Sequence, residues 1–199
     1  MLGIVVARSD EVFVDGLGFF STAVGRLEEA AWQRPSPCSD WRAMDVLGHV
    51  GQAVRFGTSL LVGDAPVWEP AEPLGAVVEG DSATWWAGLA GPARQAVSGV
   101  DLAQVVDSPM GRRSIEEGLA FPALDLFVHA WDLARSVGEV IEIPPEVIDF
   151  AHRVLDPVPP EQLRSPRVFA EALPPPTGAT ATETFIAWTG RDPLWRPAS

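Results

Sequence analysis

The chain of 199 residues has no lysine and no tyrosine, and it has a single cysteine, Cys38. The first absence removes Schiff-base and lysine-nucleophile chemistry of the usual kind, and the second removes phenolic acid or base roles. One cysteine cannot close an intrachain disulfide, and no Cys-x-x-Cys pair is present to hold a structural zinc or to act as a dithiol. Any metal site must therefore draw on histidine and carboxylate. No apolar run approaches the roughly 20 residues needed to span a bilayer. The opening Met1-Leu-Gly-Ile-Val-Val-Ala7 lacks a basic n-region and meets Arg8 and Asp10 too early for a signal peptide. The expectation is a cytoplasmic protein with no membrane partner.

All fourteen basic residues are arginine, and against 27 acidic ones they leave a formal charge of −13. Such a charge repels phosphate backbones, which argues against nucleic acid and toward small molecules as partners. A hydrophobic share of 47% suffices for a substantial core without staples, and the length favours one domain. The eight tryptophans are available for packing or pocket walls.

Apolar periodicity predicts an all-α chain. Phe13, Leu17, Phe20, Val24, Leu27 and Ala31 recur at steps of four and three, the stripe of a first helix from Asp10 to about Trp32. Residues 35–40 break the pattern, and a second helix runs from about Arg42 to Val62. Residues 63–80 form a loop, and a third helix starts near Ser82 with a kink or restart at Gly91-Pro92. The stretch from Asp101 to Arg113 is irregular. Ser114-Ile-Glu-Glu117 fits a capping box that opens a fourth helix ending at Gly138, with Pro122 kinking it or marking a new first turn. A shorter helix follows Pro144-Pro145, and Thr180-x-x-Glu183 caps a last one. This is a four-helix bundle with short C-terminal helices, one domain over 1–199 with its core at about 9–138 and an extension over 139–199.

Only His49, His129 and His152 can offer imidazole. Asp125, His129 and Asp132 follow one another at steps of four and three, so all three project from one side of the fourth helix. His49 on the second helix supplies a further direction, and three protein ligands would leave an open coordination position, the mark of a catalytic metal site. Spacing alone reads more readily as an Asp–His ion pair, and His49 is equally placed to pair with Asp45. His152, between Asp149 and Asp156, reads as solvated, Cys38 as a packed small apolar residue, and Trp41 and Trp131 as helix locks.

Two stretches shift that balance. Pro35-Ser-Pro-Cys38-Ser-Asp-Trp41-Arg-Ala-Met-Asp-Val-Leu47-Gly-His49-Val resembles the signature that opens the second helix of DinB-like metalloproteins. Phe127-Val-His129-Ala-Trp131-Asp132-Leu-Ala-Arg135-Ser-Val-Gly138 resembles the second signature of the branch related to mycothiol-dependent maleylpyruvate isomerase. The ending Phe185-Ile-Ala-Trp-Thr-Gly190-Arg191-Asp192-Pro193 is similar to the C-terminal tail of one group in that branch. The resemblance implies a DinB-like bundle with a divalent metal at one end, zinc or nickel, held by His49, Asp125 and His129. It departs from the pattern at Asp125, where relatives usually carry Glu or His, and at Arg42, where a hydroxyl cap is usual; Asp40 is the candidate cap instead.

The function implied is a metal-dependent thiol transferase or isomerase acting on a small electrophile, with mycothiol or another low-molecular-weight thiol at the open position. Asp132 would orient His129 or accept a proton, and Arg55, Arg112 and Arg113 are candidate clamps for an anionic substrate. Two other classes stand beside this one. One is a protein of the same fold that captures a metal or small ligand without turnover. The other is a purely structural bundle, with a homodimer among its forms.

Overall fold

A computed structural model describes residues 7–65, 71–108, 111–164 and 168–197. The opening residues read above for a leader, and the middle of the 63–80 loop, lie outside the described residues. The elements in order are α1 (Ser9–Val24), α2 (Ala43–Val62), α3 (Ser82–Ala96), a two-residue β1 (Val105–Val106) paired with β2 (Arg113–Ser114), α4 (Ile115–Ser136), α5 (Pro145–Leu155), α6 (Pro160–Leu163) and α7 (Ala181–Trp188). Short 3-10 turns at Glu29–Gln33 and Leu74–Val77 lie on the connections. The protein is all-α apart from the small antiparallel ladder, in which Val105 faces Ser114.

The helical stripe of the first segment stops sooner than its periodicity suggests. Phe13, Leu17, Phe20 and Val24 are buried on α1, but Gly25 closes the helix with its N–H on the Ser21 carbonyl. Arg26 and Leu27 then bond three residues back, to Ala23 and Val24, tightening the chain out of the helix. Ala31 belongs to the following 3-10 turn, so the single helix expected to Trp32 is two elements. Glycine at position 25 removes the propensity that would have carried the helix across.

The start of α2 also differs from expectation. Asp40 sits in the left-handed region at φ 67° within the turn, and it is Asp45 that receives the Arg42 N–H at 3.0 Å and the Gly75 N–H at 2.9 Å. Asp45 is thereby committed to backbone groups. α3, capped by Asp81 on the Thr84 N–H at 2.8 Å, continues through Gly91-Pro92 without restarting. α4 opens on the reciprocal Ser114–Glu117 box and likewise runs through Pro122, so neither proline divides its helix.

Helices α1 to α4 close a bundle in which α4 packs on α1 and α2, and α3 completes the ring against the same two. Buried residues occur around all of α4 in its second half, from Leu126 to Ser136, because α5, α7 and the chain beyond cover the side that the bundle leaves. Val147, Ile148, Phe150 and Ala151 of α5 and Phe185 and Ile186 of α7 extend the same core. Thr182 Oγ1 accepts the Ile143 N–H at 2.9 Å and ties α7 to the chain between α4 and α5. Among the described residues no helix is long and apolar enough to cross a membrane.

The 3-10 turn at Leu74–Val77 lies directly on α2, one residue before His49. A Cβ built on Gly48 would stand 2.2 Å from the Leu74 carbonyl oxygen, and the obstacle is backbone rather than a flexible side chain. Gly48→Ala is therefore expected to lower stability by about 1–3 kcal/mol, the usual cost of overpacking. Urea unfolding would measure it.

Candidate metal centre

His49 on α2 and Asp125 and His129 on α4 meet where the two helices pack. His49 Nε2 is 3.5 Å from Asp125 Oδ2, and the two imidazole centroids are 4.9 Å apart, edge to face. One ligand atom from each of the three residues lies within 4.8 Å of the others. The site is graded in depth: His129 is 6% exposed at its side chain, His49 19% and Asp125 28%. Trp41, from the loop before α2, walls one side, with its ring 5.0 Å from His49 and 5.9 Å from His129.

Behind His129 lies a buried ionic cluster. His129 Nδ1 is 2.8 Å from Asp132 Oδ2. Arg191, beyond α7, donates to both oxygens of Asp132, from Nε at 2.8 and 3.1 Å and from Nη2 at 2.9 Å. The same Nη2 reaches Cys38 Sγ at 3.1 Å, and the thiol stands 3.4 Å from Asp132 Oδ2. Arg191 Nη1 meets Thr189 Oγ1 at 3.3 Å.

The protonation states follow from these contacts. Burial alone would push Asp132 up, but the Arg191 charge, the His129 hydrogen bond and the Arg191 hydrogen bonds outweigh it and hold the carboxyl at about 2. Burial opposes the Arg191 charge too, yet Asp132 raises its proton affinity further, so the guanidinium stays charged. Burial lifts the Cys38 thiol far above its ordinary value, with Arg191 only partly opposing, so Cys38 is a neutral S–H. Burial lowers His129, against the pull of Asp132, and favours neutral imidazole. Asp125 is held below its ordinary value because the His49 hydrogen bond and nearby positive charge overcome burial.

These states suit a divalent cation at one of two overlapping donor groups. Cys38, His129 and Asp132 also cluster within 4.8 Å, but a guanidinium already occupies that carboxylate and touches the sulfur, so a second cation there would be repelled. With His129 Nδ1–H donated to Asp132, the free lone pair of this ring is on Nε2, directed away from the buried cluster. A neutral imidazole whose other nitrogen is bonded to a carboxylate is the usual condition of a metal-bound histidine. His49, Asp125 and His129 could thus offer two nitrogens and one oxygen to a divalent ion.

Residues 15–134 match the model of the mycothiol maleylpyruvate isomerase N-terminal domain. The span takes in most of α1, all of α2 and α3, nearly all of α4, and with them His49, Asp125, His129 and Asp132. The chain belongs to this family. Two relatives match this chain alike: uncharacterized protein Rv0738 of Mycobacterium tuberculosis strain H37Rv and uncharacterized protein MT0763 of strain CDC 1551. Each is 28% identical over 166 residues, covering 79% of this chain and 83% of the relative. Crystal structures of the mycothiol-dependent maleylpyruvate isomerase share the fold, at TM-scores of 0.59 for a mutant form and 0.56 for the other structure. Identities there are 15% and 16%, over 71% of this chain and 65% of the isomerase chains. The matched part thus spans less than two thirds of the isomerase. The four-helix DinB-like scaffold is shared with the solved isomerase structures; Arg191 lies outside the span that the family model matches.

The arginines expected to clamp substrate are not gathered at this centre. Arg55 is six residues beyond His49, about 240 degrees around α2, and its guanidinium lies over Trp85 at 5.6 Å. Arg112 pairs loosely with Asp107 at 3.6 Å, both well exposed. Arg113, on β2, precedes Asp125 by twelve residues, about 18 Å along the helix axis. The arginine that reaches the site region is Arg191, quoted in the tail motif without a role. Only the motif could have signalled it, since 59 residues separate it from Asp132. Cys38, read as apolar packing, is indeed sheltered but sits on charged groups. Trp131 is buried as a helix lock, and His152 is half-exposed, 3.3 Å from Asp156.

Removing one partner of a buried ion pair leaves an uncompensated charge, so Arg191→Met is expected to cost about 3–5 kcal/mol at neutral pH. In the wild type the depressed carboxyl of Asp132 contributes stability that is complete above its ordinary value of 3.8 and is lost as pH falls through about 2. Unfolding free energies measured across that window should show this fall, and Asp132→Asn should lack it.

Proposed function

We propose that this chain binds one divalent cation, zinc or nickel, through His49, Asp125 and His129, and uses it in a thiol-dependent transfer or isomerisation of a small electrophile. The observation that carries the reading is the meeting of two imidazoles and a carboxylate from two helices, with His129 buried and His49 and Asp125 partly exposed. When bound, the cation supplies Lewis acidity and stabilises a thiolate at its open position. Mycothiol, after which the solved isomerase is named, is the leading thiol, and other low-molecular-weight thiols fit the same chemistry.

The chain's own residues do the remaining work. Asp132 holds the Nδ1 proton of His129 and so keeps Nε2 available as a donor. Arg191 neutralises Asp132, which leaves that carboxylate to orient the ring rather than to attract a cation of its own. Cys38 stays protonated beside Arg191 and Asp132, so the protein's only thiol does not compete with a thiol cofactor for metal. Trp41 provides an apolar wall against the two imidazoles, limiting solvent at the open side. With neither lysine nor tyrosine in the chain, thiol activation falls to the metal.

Elemental analysis of the purified protein should find one equivalent of divalent metal. His49→Ala and His129→Ala should each weaken metal binding by more than about 100-fold, beyond the range seen when only an orienting residue is lost. Calorimetric titration of mycothiol into metal-loaded wild type should give binding that disappears in His129→Ala. Thiol binding indifferent to that substitution would overturn the proposal.

A further inference from the structure

Arg135 is 2% exposed, and among the described residues its close polar contact is to backbone rather than to a carboxylate: its Nη2 donates to the Pro193 carbonyl at 2.6 Å, and its guanidinium lies over Trp131 at 5.0 Å. Its Nε and Nη1 are buried with no hydrogen-bond partner among the described residues. A guanidinium is costly to bury, and a packed apolar residue would seal the same space without unsatisfied donors. What it gains is a hold on the C-terminal tail.

Arg135 follows Asp132 by three residues, about 4.5 Å along α4, and Pro193 follows Arg191 by two, at most about 7 Å of chain. The tail therefore lies against one turn of α4 and is fastened at both ends of that turn: Arg191 to Asp132, and Pro193 to Arg135. On the other side of Arg191 the chain is equally constrained. Gly190 stands at φ 86°, a Cβ there would lie 2.7–2.9 Å from atoms of Ala170, and the Arg191 N–H bonds to the Ile186 carbonyl at 3.2 Å.

We propose that Arg135 is a positioning residue for the metal centre: by holding Pro193 it keeps Arg191 on Asp132, and through Asp132 it fixes the ring of His129 beside His49 and Asp125. The inference rests on the metal-centre reading above and adds a residue that touches none of the three ligands. The tail acts as a brace, with Arg135 and Gly190 as its two fastenings.

The test compares wild type with Arg135→Met, which keeps an unbranched side chain over Trp131 and removes the donors, and with Arg135→Lys, which keeps one charged donor. Calorimetry with cobalt(II) as the probe ion, the visible spectrum of the cobalt-loaded protein, and the melting temperature of the metal-free protein are the three readouts. Arg135→Met should weaken cobalt binding about ten-fold, at the lower end of the range for orienting residues, and alter the ligand-field bands. Arg135→Lys should recover much of both. In an Arg191→Met background, Arg135→Met should add little, because the contact it supports is already gone. Gly190→Ala, which displaces the tail from its other fastening and leaves α4 unchanged, should reproduce the loss of affinity, and it decides the matter if Arg135→Met does not fold. A lower melting temperature with wild-type cobalt affinity and spectrum in Arg135→Met and Gly190→Ala would overturn the inference while leaving the metal centre standing. A wild type that takes up no cobalt would overturn both.

Discussion

The carboxylate of Asp132 is fully buried near the C-terminal end of α4, in the half of that helix buried on every side, and the rest of the site is arranged around keeping it charged. An isolated carboxylate at that depth would take up a proton. It stays ionised because Arg191 closes on both of its oxygens while His129 and Cys38 occupy the remaining directions. That single requirement explains why the chain does not stop being structured after the bundle. The guanidinium has to be brought from beyond α7, so α5, α7 and the tail must fold back over α4, and their apolar faces extend the bundle core in doing so. The extension thereby becomes part of the support for a site whose three candidate ligands all lie inside the bundle.

The parts of this arrangement that depend on local spacing were legible in the sequence. Asp125, His129 and Asp132 fall on one side of α4 because four- and three-residue steps do so in any helix, and the capping boxes at Ser114 and Thr180 are present as read. The end of α1 was less legible. The apolar stripe continues in register past Val24, but register does not require helix, and the 3-10 turn buries Ala31 and Trp32 as well as a further helical turn would have. Of the two readings each proline offered, a kink or a new start, the new start is removed: Pro92 and Pro122 each sit within a continuous helix, since tertiary packing outweighs one lost backbone bond.

What spacing cannot reveal is which arginine travels to the site. Arg55, Arg112 and Arg113 were candidates because a guanidinium binds carboxylates in a bidentate fork, and in the fold Arg55 lies over Trp85, Arg112 beside Asp107 and Arg113 on β2. Arg191 is the one that reaches Asp132. Its selection is a tertiary event, decided by where the tail crosses α4 and by the left-handed bend at Gly190 that turns it inward. The same holds for Cys38: its composition suggests a small apolar residue, and only the folded loop before α2 places its sulfur against Arg191.

The site also has a direction. Exposure rises from Asp132, which is fully buried, through His129 and His49 to Asp125, so charge is neutralised within the protein at the deep end and is open to exchange at the shallow end. A divalent cation between the imidazoles and Asp125 would meet one formal negative charge from its ligands, because Asp132 is already balanced by Arg191. A net positive charge would remain on the open side, the condition that favours an anionic fourth ligand such as a thiolate over a neutral one. Asp125, where the resemblance implies Glu or His, brings Oδ2 within 3.5 Å of His49 Nε2 as the helices already stand. On the proposed reading the buried ion pair and the candidate ligand set would be complementary: the first removes a competing anion from the interior, and the second would leave the cation's remaining charge to be met by a thiolate.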